Sequence, residues 1–235
     1  MSKVLAQASP KDINTASIRL LRELYRGSLM ATAKVLCGYA DITKYTHGKV
    51  IEALEANTTR KLIVMPRGSL KSSIGVVAYS IWLLIRDSNT RILIDSERYE
   101  NSKNFIREIK GILMRPEVTR VFGGFASRAG WGEGEIIISQ RTKNVKEASV
   151  TASGIGANKV GQHYDVVIMD DLNSNANSTN SEQRAKVIRH YQLNTSILEP
   201  NGIMVIVGTR YAVDDVIGHV LTNEIAPTKG LVHER

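Results

Sequence analysis

The chain has 235 residues, 43% apolar and 23% charged, which suits one large domain, or a domain with a small appendage, able to bury an ordinary core. Its formal net charge is +8 and its pI about 9.6, a balance that fits contact with a polyanion or a plain solubility role. Cys37 is the only cysteine, which excludes a disulfide framework and a cysteine-rich metal site, and no apolar run approaches the ~20 residues of a membrane span.

Residues 1–12 read as a loose leader without the apolar segment of a secretory signal. From Ile13 to Leu36, the positions Ile18, Leu20, Leu21, Leu24, Leu29 and Val35 recur at helical spacing, with Gly27 as an interruption and Gly38 as a stop. A second helix is expected over Thr46–Ala56, with Val50, Ile51 and Leu54 on one face, followed by a turn at 57–60. Residues 1–60 are thus expected to form a helical segment packed on a core of residues 61–235. That segment could cover the base of a nucleotide with Tyr45 or His47, or simply pack on a sheet edge.

Lys61 to Met65 reads as a buried strand, followed by Pro66-Arg67-Gly68-Ser69-Leu70-Lys71-Ser72-Ser73 and a helix to Arg86. A strand, a tight turn with glycine and a Lys-Ser pair opening a helix make the layout of a phosphate-binding loop, in which backbone N–H groups and the helix dipole face an anion. The common pattern G-x-x-x-x-G-K-[ST] is matched only in part, since its two glycine slots fall on Met65 and Leu70. In this reading Lys71 reaches the β- and γ-phosphates and the Ser72 hydroxyl sits on Mg²⁺. The other reading is a basic turn between a strand and a helix.

Arg91–Asp95 is a second short apolar run, and a helix from Glu100 to Met114 follows, closed by Pro116. Strands and helices alternating at this spacing indicate a parallel sheet with crossover helices. The glycine-rich residues 119–134 read as an excursion outside the core. Glu135–Ser139 and Lys146–Thr151 are short strand candidates, and Ser153–Gly161 reads as a loop. Asp165-Val166-Val167-Ile168-Met169-Asp170-Asp171 is a buried strand ending in two carboxylates, where parallel strands bind ligands; alternation sends the two side chains to different sides. A polar loop at 173–181, a helix over Glu182–Leu198 and a turn at Pro200-Asn201-Gly202 lead to the strand Ile203–Val207, which ends in Gly208-Thr209-Arg210. Asp214-Asp215 starts a helix over Val216–Asn223, and Leu231–Glu234 reads as the opening of a further strand, as in a piece of a longer chain.

Three stretches together resemble the ATPase domain of the large terminase subunit of tailed bacteriophages, over residues 45–224. They are Pro66-Arg67-Gly68-Ser69-Leu70-Lys71-Ser72, Val167-Ile168-Met169-Asp170-Asp171, and Val207-Gly208-Thr209-Arg210-Tyr211 followed by Asp214-Asp215. The resemblance implies an α/β fold, a RecA-like additional-strand P-loop ATPase with a mainly parallel central sheet flanked by helices and the Gly208 strand between the loop strand and the Asp170 strand. It implies ATP hydrolysis with Mg²⁺ that drives double-stranded DNA into a procapsid, with the portal protein and the small terminase subunit as partners. The working form would be a homo-oligomeric ring, a monomer remaining open for this length of chain. The setting would be the host cytoplasm and, transiently, the portal vertex, with no membrane. The family's metal-dependent nuclease domain is absent from these residues.

By position, the resemblance makes Pro66–Ser73 the ATP-binding loop, Lys71 the phosphate ligand, and Ser72 and Asp170 the Mg²⁺ ligands. Asp171 falls in the slot of the carboxylate that activates water, Arg67 in that of a basic residue reaching the γ-phosphate, and Gly208, Thr209 and Arg210 in the coupling motif. Two departures stand out. Many members have Glu where this chain has Asp171. The slot of a trans-acting arginine, ten residues ahead of the metal aspartate, is Val160 here, which leaves Lys159, Arg128 and Arg141 as trans-acting candidates. Two other readings stand beside the motor: a helicase-like P-loop enzyme, which normally needs a second RecA-like half, and a nucleotide-dependent DNA-binding protein without turnover.

Overall fold

In the computed structural model, which describes residues 10–225, the chain is built on one seven-stranded sheet. Ahead of the sheet come α1 (Pro10–Gly27), a short α2 (Leu29–Ala31) that widens into a π-helical turn (Thr32–Leu36), and α3 (Lys44–Glu55). The Ser28 hydroxyl accepts from the Ala31 N–H at 3.2 Å and the Thr43 hydroxyl from the Thr46 N–H at 3.2 Å, so α2 and α3 each start on a side-chain cap. Gly38, just past the π-helical turn, takes a left-handed φ of 76°, the conformation that stops a helix.

The core then follows. It runs β1 (Arg60–Val64), a helix that is π-helical over Ser73–Ala78 and continues as α4 (Tyr79–Arg86), β2 (Ile92–Ser96), α5 (Tyr99–Leu113), α6 (Pro116–Phe122), β3 (Ala126–Trp131), β4 (Glu135–Ile138), β5 (Val150–Gly154), β6 (Tyr164–Asp170), α7 (Ser181–Ser196), β7 (Leu198–Gly208) and α8 (Val216–Val220), which passes into a π-helical turn (Leu221–Ile225). The strand order is β1-β7-β6-β2-β5-β4-β3. The first five strands pair in parallel, and β4 and β3 extend the sheet antiparallel. β7 does lie between the loop strand β1 and the Asp170 strand β6.

Alternation along the strands makes two apolar faces. Ile63, Ile92, Ile94, Ile168, Val205 and Val207 share one buried cluster with α4, α5 and α6, and with Tyr25, Leu29, Ile51 and Leu54 of the N-terminal helices. Leu93, Val167, Met169, Met204 and Ile206 face the other way, against Val187 and Tyr191 of α7 and Val216, Ile217 and Val220 of α8. Each such side chain contributes about 1.5–3 kcal/mol by leaving water.

Several segments depart from the sequence reading. Residues 119–134 hold most of α6 and all of β3; Gly123, Gly124, Gly132 and Gly134 flank this edge strand, and Gly130 lies within it. Lys146 to Ser149 lie outside the strand, which runs over Val150–Gly154 and takes in Ser153 and Gly154, read above as loop. Pro200-Asn201-Gly202 stays inside β7: Tyr164 faces Leu198 and Val166 faces Ile203, so the stretch loops out as a bulge instead of reversing the chain. Gly202 is needed there, since a Cβ would stand 2.6 Å from Leu198 Cγ and 3.0 Å from the Asp165 carbonyl oxygen. The strand expected at Leu231–Glu234, and most of the N-terminal leader, lie outside the described residues.

Candidate phosphate and metal site

The parallel strands end at one edge in register: Val64 opposite Gly208, Val207 opposite Asp170, and Asp170 opposite Ser96. From β1 the chain turns sharply through Gly68, at φ 78°, and Leu70, at φ 56°. Leu70 occupies the slot where the common pattern has its second glycine, and its backbone adopts the conformation a glycine would take there. A non-glycine residue held so costs on the order of 1–3 kcal/mol, a strain typical of loops that wrap ligands. The Ser69 hydroxyl donates to the Pro66 carbonyl at 2.7 Å, and the Ile74 N–H to the Leu70 carbonyl at 2.9 Å, where the helix takes over.

Lys71 and Ser72 open that helix and meet the end of β6. Lys71 is only 6% exposed, and its Nζ lies 3.2 Å from Asp171 Oδ2. Ser72 Oγ donates to Asp170 Oδ1 at 2.7 Å. Both carboxylates therefore face the loop, although strand alternation would part them. The cause is Asp171, whose φ of 41° leaves the strand conformation and swings its side chain round. Burial, aided by the negative charge of Asp171, pushes the Asp170 carboxyl up to about 7 against the hydrogen bond from Ser72 and the charge of Lys71. Asp171 Oδ1 is buried without a partner, an acceptor held ready at the site.

The end of β7 closes the other side. Thr209 Oγ1 donates to the Met65 carbonyl at 3.2 Å, and the Met65 N–H to the Gly208 carbonyl at 3.2 Å, which ties the end of β7 to the loop. Arg67 donates to the Tyr211 hydroxyl and lies 5.9 Å from the centre of its ring. Arg210 is turned onto its own segment, donating to the Ala212 and Val213 carbonyls at 3.2 and 3.0 Å. Asp215, read above with Asp214 as the start of a helix, is fully buried and accepts from the N–H groups of Tyr211 (2.8 Å), Ala212 (3.1 Å) and Gly218 (2.9 Å). An Asp ahead of a helix is a capping signal, so that much was available in the sequence. Glu97, just past β2, escaped notice: it accepts from Ser174 Oγ at 2.5 Å and pins the loop after Asp171 to the next strand.

The trans-acting candidates separate. Lys159 is turned into the core, donating to Asp95 Oδ2 and Asn194 Oδ1 at 2.7 Å each, beside His190, whose Nε2 stands 2.6 Å from Asp95. Its ammonium is thus taken up by partners within the chain. Arg141 has its Nε and one Nη buried without partners and sits in the field of Arg91, Glu147 and Asp165, at the amino-terminal edge of the sheet, away from the loop. Arg128 is exposed on the outermost strand, β3. Of the two residues considered for a base, Tyr45 is fully exposed and His47 is buried, its Nδ1 accepting from the Thr43 N–H at 3.1 Å as part of the α3 cap.

Among the described residues no cluster of three or more His, Cys, Asp or Glu side chains could hold a metal unaided. Mg²⁺ does not need one, because it commonly takes one or two protein oxygens and completes its shell with phosphates and water. Ser72 Oγ and Asp170, hard oxygen donors beside an anion-facing helix start, fit that demand.

No protein-family model matches the sequence, and no curated relative matches it. Among solved structures, the large terminase of bacteriophage HK97 matches with a TM-score of 0.58 at 12% identity, over 86% of this chain and 42% of that one. Dbp5 of S. cerevisiae, solved bound to Nup159, Gle1, IP6 and ADP, matches with a TM-score of 0.51 at 13% identity, over 82% of this chain and 48% of that one. The chain spans less than half the length of either. At such identities the likeness is one of fold, and the fold is that of RecA-like P-loop ATPases: a mainly parallel mixed sheet flanked by helices.

Proposed function

We propose that this chain is the ATP-hydrolysing motor domain of a viral DNA-packaging terminase, which uses Mg-ATP to drive double-stranded DNA into a procapsid. The observation that carries this reading is the meeting of Lys71 with Asp171 at 3.2 Å and of Ser72 with Asp170 at 2.7 Å, from stretches far apart in the chain and in the order that a phosphate loop and its acidic strand require. Phosphoryl transfer asks for positioning and charge neutralisation more than covalent chemistry, and this edge offers both.

In this reading Lys71 exchanges Asp171 for the β- and γ-phosphates, to which an ammonium binds as a point charge. Asp171, released, orients the attacking water and takes up its proton. Mg²⁺, held through Ser72 Oγ and Asp170, would supply charge neutralisation on the phosphates. Thr209 ties the end of β7 to the loop, so a change in the loop is felt by the segment leading to α8. A ring of copies on the portal protein, the small terminase subunit as partner, a nuclease domain elsewhere in the whole protein, and a place in the host cytoplasm belong to the same proposal, with Arg128 as the remaining trans-acting candidate.

The likeness to Dbp5 favours a second reading, a helicase-like or nucleotide-dependent DNA-binding P-loop protein. Calorimetry and a phosphate-release assay test the site, and a strand-separation assay parts the two readings. Lys71→Ala should weaken ATP binding at least about tenfold, because it removes a charged phosphate ligand. Asp171→Ala should retain binding and lose about 10²–10⁴ in turnover, the usual worth of a positioned base. Equal ATP affinity in Lys71→Ala, or unchanged turnover in Asp171→Ala, would sink the mechanism; strand separation by the wild type would select the second reading.

A further inference from the structure

Arg67 and Tyr211 come from opposite sides of the site and meet through two contacts at once. An Arg67 Nη donates to the Tyr211 hydroxyl, and the guanidinium carbon lies 5.9 Å from the centre of the ring. The two partners are held very differently. Tyr211 stands on a fixed bracket: its N–H donates to Asp215 Oδ2 at 2.8 Å, Asp215 is fully buried and caps α8 through the Gly218 N–H at 2.9 Å, and Thr209 Oγ1 is tied to the Met65 carbonyl at 3.2 Å. Arg67 is exposed, in the turn between β1 and the helix start. Its guanidinium has donors only, and its partner in the structure is neutral.

We infer that Tyr211 is a positioning residue that parks Arg67 away from the phosphates, so that a γ-phosphate and Tyr211 compete for one guanidinium. This rests on the nucleotide-site reading above. A phosphate oxygen pair offers a guanidinium a charge-assisted, bidentate partner, which a phenol hydroxyl and a ring face at an exposed site do not match. A nucleotide carrying a γ-phosphate therefore draws Arg67 off the ring. Once it does, the segment from Thr209 to Asp215 loses one of its links to the loop and keeps its links to α8. ADP, lacking the γ-phosphate, leaves the pair closed. The contact thus separates the two nucleotide states without a covalent step, and the segment it releases is the one joined to α8 by the Asp215 cap.

The test is calorimetric binding of a non-hydrolysable ATP analogue and of ADP to folded wild type, Tyr211→Ala, Tyr211→Phe, Arg67→Ala and the double variant Arg67→Ala/Tyr211→Ala. Tyr211→Ala frees Arg67 and should bind the analogue roughly three- to tenfold more tightly, with ADP affinity unchanged. Tyr211→Phe keeps the ring and loses the hydroxyl, so its gain should be smaller. In the Arg67→Ala background the Tyr211 substitution should change nothing, which a merely structural role for the ring would not produce. Wild-type affinity for the analogue in Tyr211→Ala, or weaker binding of both nucleotides, overturns the competition alone. Failure of the wild type to bind either nucleotide overturns the function proposed above, and this pairing with it.

Discussion

Asp170 sits under the first turn of the helix that Lys71 and Ser72 begin, and its environment sets a measurable sign. An aspartate ordinarily titrates near 3.9, and this one is pushed up to about 7, chiefly by burial and then by Asp171 beside it. The folded chain therefore holds this proton more tightly than the unfolded chain does. Asp170 contributes stability that is full below about pH 4 and is lost as pH rises through about 7. Asp170→Asn carries no titrating proton and no charge. Its stability relative to wild type should climb between pH 4 and pH 8 by on the order of a few kcal/mol, read from urea midpoints in metal-free buffer. A difference that stays flat across that range would mean that burial does not disfavour the Asp170 carboxylate.

The helix after the loop and the strand β7 approach each other where glycine allows it. A Cβ on Gly75 would stand 2.8 Å from Val207 Cγ2, and Val207 is β-branched and 1% exposed, with little room to yield. Gly75→Ala should cost about 1–3 kcal/mol, the range for overpacking a tight core, and Val207→Ala in the same chain should return part of it. Simple addition of the two costs in urea denaturation would show that the elements do not touch there. This contact sets how close the loop's helix lies to the strand that ends in Thr209. The strands themselves were readable because Leu62–Val64, Val166–Met169 and Ile203–Val207 are apolar without interruption; β6 and β7 are covered on both faces, and β1, at the sheet's edge, keeps the apolar run although Val64 is exposed. β3 was not readable, because an exposed edge strand carrying Ser127, Arg128 and Gly130 has no apolar face to declare itself and exists through pairing with β4. Pro200 and Gly202 carry turn chemistry, and the bulge that absorbs them is decided by β6 next door. At the site, the order of the motifs was legible. The left-handed backbone at Leu70 and Asp171 was not, since φ is imposed by the turn and not by those residue types. Nor was the inward course of Lys159, a loop residue whose partner Asp95 lies far off in the chain on β2.

Over the whole molecule the +8 charge is only partly available to a partner. Arg22, Arg26 and Arg115 donate to the backbone carbonyls of Val121, Ile85 and Cys37, Lys61 to that of Ala53, and Arg91 and Lys159 are taken up by Asp165 and Asp95. Those cations hold the fold together. Lys44, Lys49, Arg98, Arg128, Lys143 and Arg189 remain exposed and spread over the surface, and a duplex would have to be gripped by groups of this kind. Their contacts are with phosphates, so binding should be blind to sequence and steep in salt. Anisotropy titrations on two duplexes of unrelated sequence should give affinities within about threefold of each other, and a plot of log affinity against log salt should fall with a slope of about −0.9 for each phosphate neutralised. Three or more working contacts would make that slope steeper than about −2.7. A shallow slope, or a strong preference for one duplex, would remove the exposed cations as the means of holding DNA, because a phosphate backbone offers them charge and no sequence.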